Sequence, residues 1–174
     1  MTGSMRRAAF ALAFAGSLAA CADQEEGALD VAPSLATSTT DVDLVECPTN
    51  TTYSTSGTVL PLGGSVSLRG HSVALPLGAV LLPATIGITE PAGQYMRIDL
   101  SANGQDHWQF QVPLSVTISY ARCSRANIDK GPLSVWLIDE ESGELLVNMG
   151  GVDDKLARTI TFETDHCSGY AIAN

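Results

Sequence analysis

From Cys47 onward, apolar residues recur at every second position, and this constrains the fold more than any other feature of the chain. Leu114, Val116, Ile118 and Tyr120 alternate with Ser115, Thr117 and Ser119. Met96, Ile98 and Leu100 alternate with Tyr95, Arg97 and Asp99, and Ile160 and Phe162 alternate with Thr159, Thr161 and Glu163. Trp108, Phe110 and Val112 alternate with Gln109 and Gln111; Val73 with Leu75 and Ile86 with Ile88 add shorter runs. Successive side chains of a strand point to opposite faces, so each run predicts a strand with one face on a core. Leu133 to Ile138 is apolar at nearly every position, which predicts a central strand covered on both faces. Turn signals separate the runs: Gly63-Gly64, Gly70, Leu77-Gly78, Pro91-Ala92-Gly93, Asn103-Gly104, Gly131-Pro132, Ser142-Gly143 and Gly150-Gly151. No stretch carries a convincing helical period. The expectation is an all-β fold, a single antiparallel β-sandwich of about eight to ten strands, over residues 47–174.

The first residues predict a different fate. Arg6 and Arg7 are followed by an uncharged run, Ala8 to Ala20, of 13 residues. Spanning a bilayer as a helix takes about 20 residues, so this run suits the core of a signal peptide over residues 1–20. It ends in Leu18-Ala19-Ala20-Cys21, which resembles the lipobox of bacterial lipoproteins. The resemblance implies a diacylglyceryl group on the Cys21 thiol, cleavage just before it and acylation of the new amine. Several acyl chains give stable anchoring where one would be marginal. Position 22 is Ala rather than the Asp that retains many such proteins in the inner membrane. By resemblance to enterobacterial lipoproteins, this implies an outer-membrane anchor facing the periplasm or the surface. Residues 21–46 then carry seven acids and no Lys or Arg among Ala, Ser and Thr, a composition expected of a flexible, self-repelling tether. A short strand fits near Val42–Val45.

Charge excludes some partners. All nineteen acidic residues lie beyond Cys21, against seven of the nine Lys and Arg, so the cleaved chain carries a net −12. That field repels phosphate backbones and anionic headgroups. No nucleic-acid partner and no electrostatic second membrane contact are expected.

Three stretches together resemble the ZU-five domain, the β-sandwich of netrin receptors and ankyrins. Leu62-Gly63-Gly64-Ser65-Val66-Ser67-Leu68 with Val73-Ala74-Leu75-Pro76-Leu77-Gly78-Ala79 is similar to its opening. Phe110-Gln111-Val112-Pro113-Leu114-Ser115-Val116-Thr117-Ile118 is similar to its Phe-x-x-Pro strand pair. His166-Cys167-Ser168-Gly169-Tyr170 is similar to its closing His-Phe-Ser-x-Tyr, with Cys167 departing from the usual aromatic. The resemblance covers residues 57–174 and implies a sandwich that mediates protein contacts.

Three cysteines remain after Cys21 in an oxidising compartment, which predicts one disulfide and one thiol. Cys167 stands where the family buries an aromatic side chain. The resemblance therefore favours Cys47 with Cys123, with Cys123–Cys167 as the alternative. Dispersed thiols without Cys-x-x-Cys or His at ligand spacing argue against redox chemistry and zinc. The resemblance also raises self-cleavage between Cys167 and Ser168 with His166 nearby, because in some animal relatives a matching Ser attacks the preceding carbonyl. The competing reading, preferred here, has His166 and Ser168 satisfying backbone groups at the start of the last strand.

No Gly-x-Ser-x-Gly elbow or phosphate loop is present. His71 and His107 read as turn or strand-edge residues at the surface. Asp139-Glu140-Glu141 and Asp153-Asp154 read as solvated turns, and Trp108 and Trp136 as core. No metal or cofactor is expected. The functional expectation is a non-catalytic, lipid-anchored interaction or structural module whose partner is another envelope protein or a glycan.

Overall fold

The computed structural model describes residues 42–174, so the signal segment, Cys21 and the tether as far as residue 41 lie outside the described residues. In chain order the elements are β1 (Glu46–Thr49), β2 (Tyr53–Val59), β3 (Gly64–Leu68), β4 (His71–Leu75), β5 (Ala84–Glu90), β6 (Gly93–Tyr95) and β7 (Arg97–Ala102). Then follow β8 (Gln109–Ser119), a single helical turn α1 (Arg125–Ile128), β9 (Ser134–Ile138), β10 (Leu145–Gly150), β11 (Val152–Asp154), β12 (Thr159–His166) and β13 (Gly169–Ala173). The fold is an all-β antiparallel sandwich. One sheet runs β10-β9-β13-β7-β5-β2, the other β11-β12-β8-β4-β3, and β1 pairs with β6 in a small third sheet.

The period-two runs supply the core between the sheets. Ile86, Ile88, Ile98, Leu100, Tyr170 and Ile172 from the first sheet meet Val73, Val116, Ile118, Ile160 and Phe162 from the second. Their polar neighbours Thr117 and Thr161 sit on the outer face and join their hydroxyls across the β8–β12 pair at 2.9 Å. Arg69 and Gly70 both take positive φ (50° and 92°), the conformation a tight hairpin between β3 and β4 requires.

Register sorts the loops into two ends. Tyr53 pairs with Glu90, whereas Val59 pairs with Ala84 at the opposite end of the same two strands. Ser119 pairs with Thr159 at the first end, and Gln109 with His166 at the other. The chain enters at the first, proximal end, where Asp43 and Asn174 exchange backbone hydrogen bonds. The β2–β3, β4–β5 and β7–β8 loops lie at the distal end.

Four expectations need correction. Sheet pairing begins before Cys47: Val45 is buried and donates its N–H to the Ile172 carbonyl, and Leu44 bridges Ala173. The pairing falls in the short strand expected near Val42–Val45, inside the 21–46 segment otherwise read as tether. Val112 is exposed although it alternates with Phe110. Pro113 brings no N–H to the ladder, and the β8–β12 register shifts between Leu114 and Gln109; Val112 falls inside that irregularity, while Phe110 and Leu114 on either side of it stay buried. Strand β9 is covered only in part, with Val135 and Ile138 buried on opposite faces and Trp136 and Leu137 half-buried. It lies next to the edge strand β10, whose register against it shifts twice. His71 is the fourth case and belongs to the proximal end.

Candidate functional site

The proximal end is fastened by a disulfide and a buried carboxylate. Cys47 in β1 is bonded to Cys123 in the turn after β8. Glu90, at the end of β5, is 1% exposed and gathers three basic side chains. Arg122 reaches its Oε1 through Nε at 2.7 Å and Nη2 at 2.6 Å, and donates from Nη1 to the Cys47 carbonyl. Arg69 Nε stands 3.3 Å and His71 Nε2 3.4 Å from Oε2, contacts too long or too poorly aligned to count as good hydrogen bonds. Arg69 also lies over the Tyr53 ring at 3.7 Å. His71 is 2% exposed, not a surface residue. Its Nδ1 accepts the Ser119 N–H at 3.1 Å, so the neutral ring carries its proton on Nε2, facing Glu90. Burial lowers the His71 pKa, and Glu90 only partly offsets that. The group is a neutral imidazole inside an ionic latch, and Arg122 ties the latch to the disulfide.

The His166-Cys167-Ser168 motif lies at the distal end, at the β12–β13 corner. His166 Nδ1 meets Asp165 Oδ1 at 3.0 Å and Thr164 Oγ1 at 3.3 Å. Tyr170 donates its hydroxyl to the His166 carbonyl at 2.8 Å and meets the Thr164 hydroxyl at 2.7 Å. The Ser168 carbonyl accepts the Leu100 N–H, and the Cys167 N–H donates to the Trp108 carbonyl. Among the described residues, no hydrogen bond joins His166 to Ser168. The contacts present hold a corner together. Cys167 is buried and unbonded, and burial pushes its thiol up to about 12. The thiolate is the reactive form, so such a thiol behaves as a small core residue.

The acidic turns are occupied by their own backbones. Asp139 Oδ1 accepts from the Ser142 N–H and hydroxyl and from the Glu141 N–H, and these bonds hold its carboxyl below the usual range. Asp154 accepts from the N–H groups of Leu156 and Ala157. Asp153 instead accepts the Tyr120 hydroxyl. Among the described residues, no three His, Cys, Asp or Glu side chains converge as a metal site.

The distal end differs in kind. Leu60 and Leu62 on the β2–β3 loop and Leu77, Leu81 and Leu82 on the β4–β5 loop are all exposed, Leu62 by 79% and Leu82 by 76%. The two loops are fixed to each other: Gly78 N–H donates to the Pro61 carbonyl at 2.8 Å. Within them Gly63 N–H closes on Leu60, and Ala79 N–H on Pro76; the Ala79 carbonyl accepts from Gln111. Gly63 has φ 94°, and a Cβ there would stand 2.6 Å from the Leu75 carbonyl oxygen, so only glycine lets the loops approach this closely. Beside them Leu81, Leu82, Pro83 and Trp108 wall an apolar groove of about 250 Å³, rimmed by Asn103 and Gln111. Trp108 is half-buried and packs on the core with its other side. From Cys47 to Thr89 the only Asp, Glu, Lys or Arg is Arg69, and that is held in the proximal latch. The leucines had a signal in the sequence: Leu-Pro-Leu-Gly occurs twice, at 60–63 and 75–78, as apolar residues inside turn segments.

No known protein family matches this chain, and no curated protein matches it in sequence.

Proposed function

We propose that this protein is an envelope lipoprotein, held to its membrane by a lipid on Cys21, whose sandwich is a non-catalytic interaction module working through its leucine-bearing end. The lipobox-like Leu18-Ala19-Ala20-Cys21 supports the anchor, and the ZU-five resemblance supports an interaction role. The observation that carries the interaction reading is the contrast at the distal end. Five exposed leucines on two loops, with every charge between Cys47 and Thr89 kept elsewhere, form an apolar surface of the kind monomeric domains reserve for contacts. In this reading the domain starts at its disulfide-fastened proximal end, and the acidic segment after Cys21 spaces it from the anchor. The outer membrane is the proposed site.

The test of the anchor is intact mass measurement on protein purified from its own membranes. The expected species begins at an acylated Cys21, contains the Cys47–Cys123 bond and ends at Asn174. An unmodified Cys21 removes the anchor. A chain ending at Cys167 would instead make His166-Cys167-Ser168 a reactive site and overturn the non-catalytic reading.

A further inference from the structure

We propose that the distal leucine end inserts into the surface of a lipid bilayer, which names the partner in the interaction reading above and rests on it. The first argument is the state of the loop backbone. Hydrocarbon supplies no hydrogen bonds, so each loop group paired within the protein lowers the cost of approaching it, and the remaining backbone groups must stay at headgroup level. The N–H groups of Gly63, Gly78 and Ala79 donate within this pair of loops, Pro61 and Pro76 have none to satisfy, and the Ala79 carbonyl is taken by Gln111.

The second argument is charge. The body of the protein is strongly acidic, and Asp106 and the Asp139–Glu144 turn share the distal end with the leucines. Acidity rules out electrostatic attachment to anionic lipid but not insertion of an uncharged corner. The surface that fits is zwitterionic, met obliquely so that Leu62, Leu77, Leu81 and Leu82 enter while the acidic turns remain in water. Trp108, with an apolar body and a polar N–H, lies at the level of the groove, the position aromatic side chains favour at a membrane interface.

The third argument is reach. Twenty-one residues lead from Cys21 to Val42 at the proximal end. Fully extended they span about 70 Å. The longest strand, β8, has 11 residues and spans about 36 Å. The chain is therefore long enough for the domain to turn its distal end onto the membrane that holds its lipid. Each leucine transferred from water is worth about tenfold or more in partition, so loss of two is easily read.

The experiment uses the full-length protein from its own membranes, labelled with a polarity-sensitive fluorophore at Leu62→Cys and reconstituted into phosphatidylcholine vesicles. A label at Asn50→Cys, exposed at the proximal end, is the control. The expected result is a blue shift at Leu62 and quenching by spin-labelled acyl chains, with neither at Asn50. A Leu77→Asp/Leu81→Asp variant should fold with an unchanged circular dichroism spectrum and lose the quenching at least tenfold. Anionic phosphatidylglycerol vesicles should also weaken it. A Leu62 label that stays in water on every vesicle overturns the bilayer as partner. If that label is nonetheless shielded from an aqueous quencher on native membranes, the partner is a protein and only the lipid assignment fails. If it is shielded on neither, the interaction reading fails with it.

Discussion

The two ends of the sandwich are built from the same strands but by opposite means. At the proximal end, Cys47–Cys123, Glu90, Arg122, His71 and Arg69 bind three loops to one another through a covalent bond and charge. At the distal end, two loops are held by backbone hydrogen bonds alone, and their side chains are apolar and exposed. Side chains fasten the first end, whereas in the second the backbone does so and leaves the leucines free to meet something else. The contrast predicts that mutations at the proximal end change stability, and that mutations of the distal leucines change binding instead.

The largest expected effect is loss of the disulfide. It closes a separation of 76 residues. The chain-entropy model gives such a loop about 4–5 kcal/mol. Cys47→Ala/Cys123→Ala should lower stability by that order in urea unfolding. A loss under about 1 kcal/mol would mean that the Arg122 bonds to the Cys47 and Pro48 carbonyls already fix the two segments.

Next comes Glu90. Glu90→Ala leaves Arg122, Arg69 and His71 gathered without their carboxylate. Removing one partner of a buried pair costs about 3–5 kcal/mol. The lower part of that range applies here, because Arg69 is 42% exposed and Arg122 is also partly in water, so both can rehydrate. Arg69→Ala should cost less than about 1 kcal/mol, as expected of a half-solvated pair. Equal losses for Glu90→Ala and Arg69→Ala would mean the latch is not organised around Glu90.

These groups also mark how far the sequence could be read. The all-β sandwich was legible because alternation is local: Leu114, Val116 and Ile118 declare their face within one strand. Val112 misled because the β8–β12 register shifts around it, and such an irregularity has no local apolar signature. The latch was not legible at all. His71, Glu90, Ser119 and Arg122 come together only through β4, β5 and the turn after β8, and nothing near His71 in the chain announces a carboxylate. The helical turn Arg125–Ile128 is too short to show a period. The leucine end was half legible. Gly and Pro placed the turns correctly, but whether turn leucines fold back on the core or face water depends on how the loops pair.

A smaller effect follows from His71. Its folded pKa is depressed, first by burial, so between the folded and unfolded values the unfolded chain binds a proton that the native state does not. Stability is therefore whole above the unfolded pKa of about 6.5 and falls as pH drops below it. The slope from one such group is at most about 1.4 kcal/mol per pH unit. Urea midpoints compared between the parent and His71→Asn from pH 7.5 to 5.5 should show the parent losing more below pH 6.5. The carboxylates common to both chains cancel in that difference. A parent that instead gains on His71→Asn as pH falls would mean that Glu90 holds the ring protonated, making the latch an ion pair of His71 as well as of the arginines.

The smallest expected effect on stability lies at the distal end. Leu62→Ser and Leu82→Ser remove side chains that are mostly in water, so each should change stability by no more than about 0.5 kcal/mol. Leu100→Ala, on a fully buried leucine of β7, supplies the scale, at about 2–5 kcal/mol. The comparison turns on this difference. If the exposed leucines prove as costly to replace as Leu100, they are packed against something within the chain, and the distal end is a second fastening rather than a surface. If their replacement is neutral for folding, their exposure has no structural cause in the domain. Five leucines held outward on glycine-and-proline loops then have to be explained by what they touch.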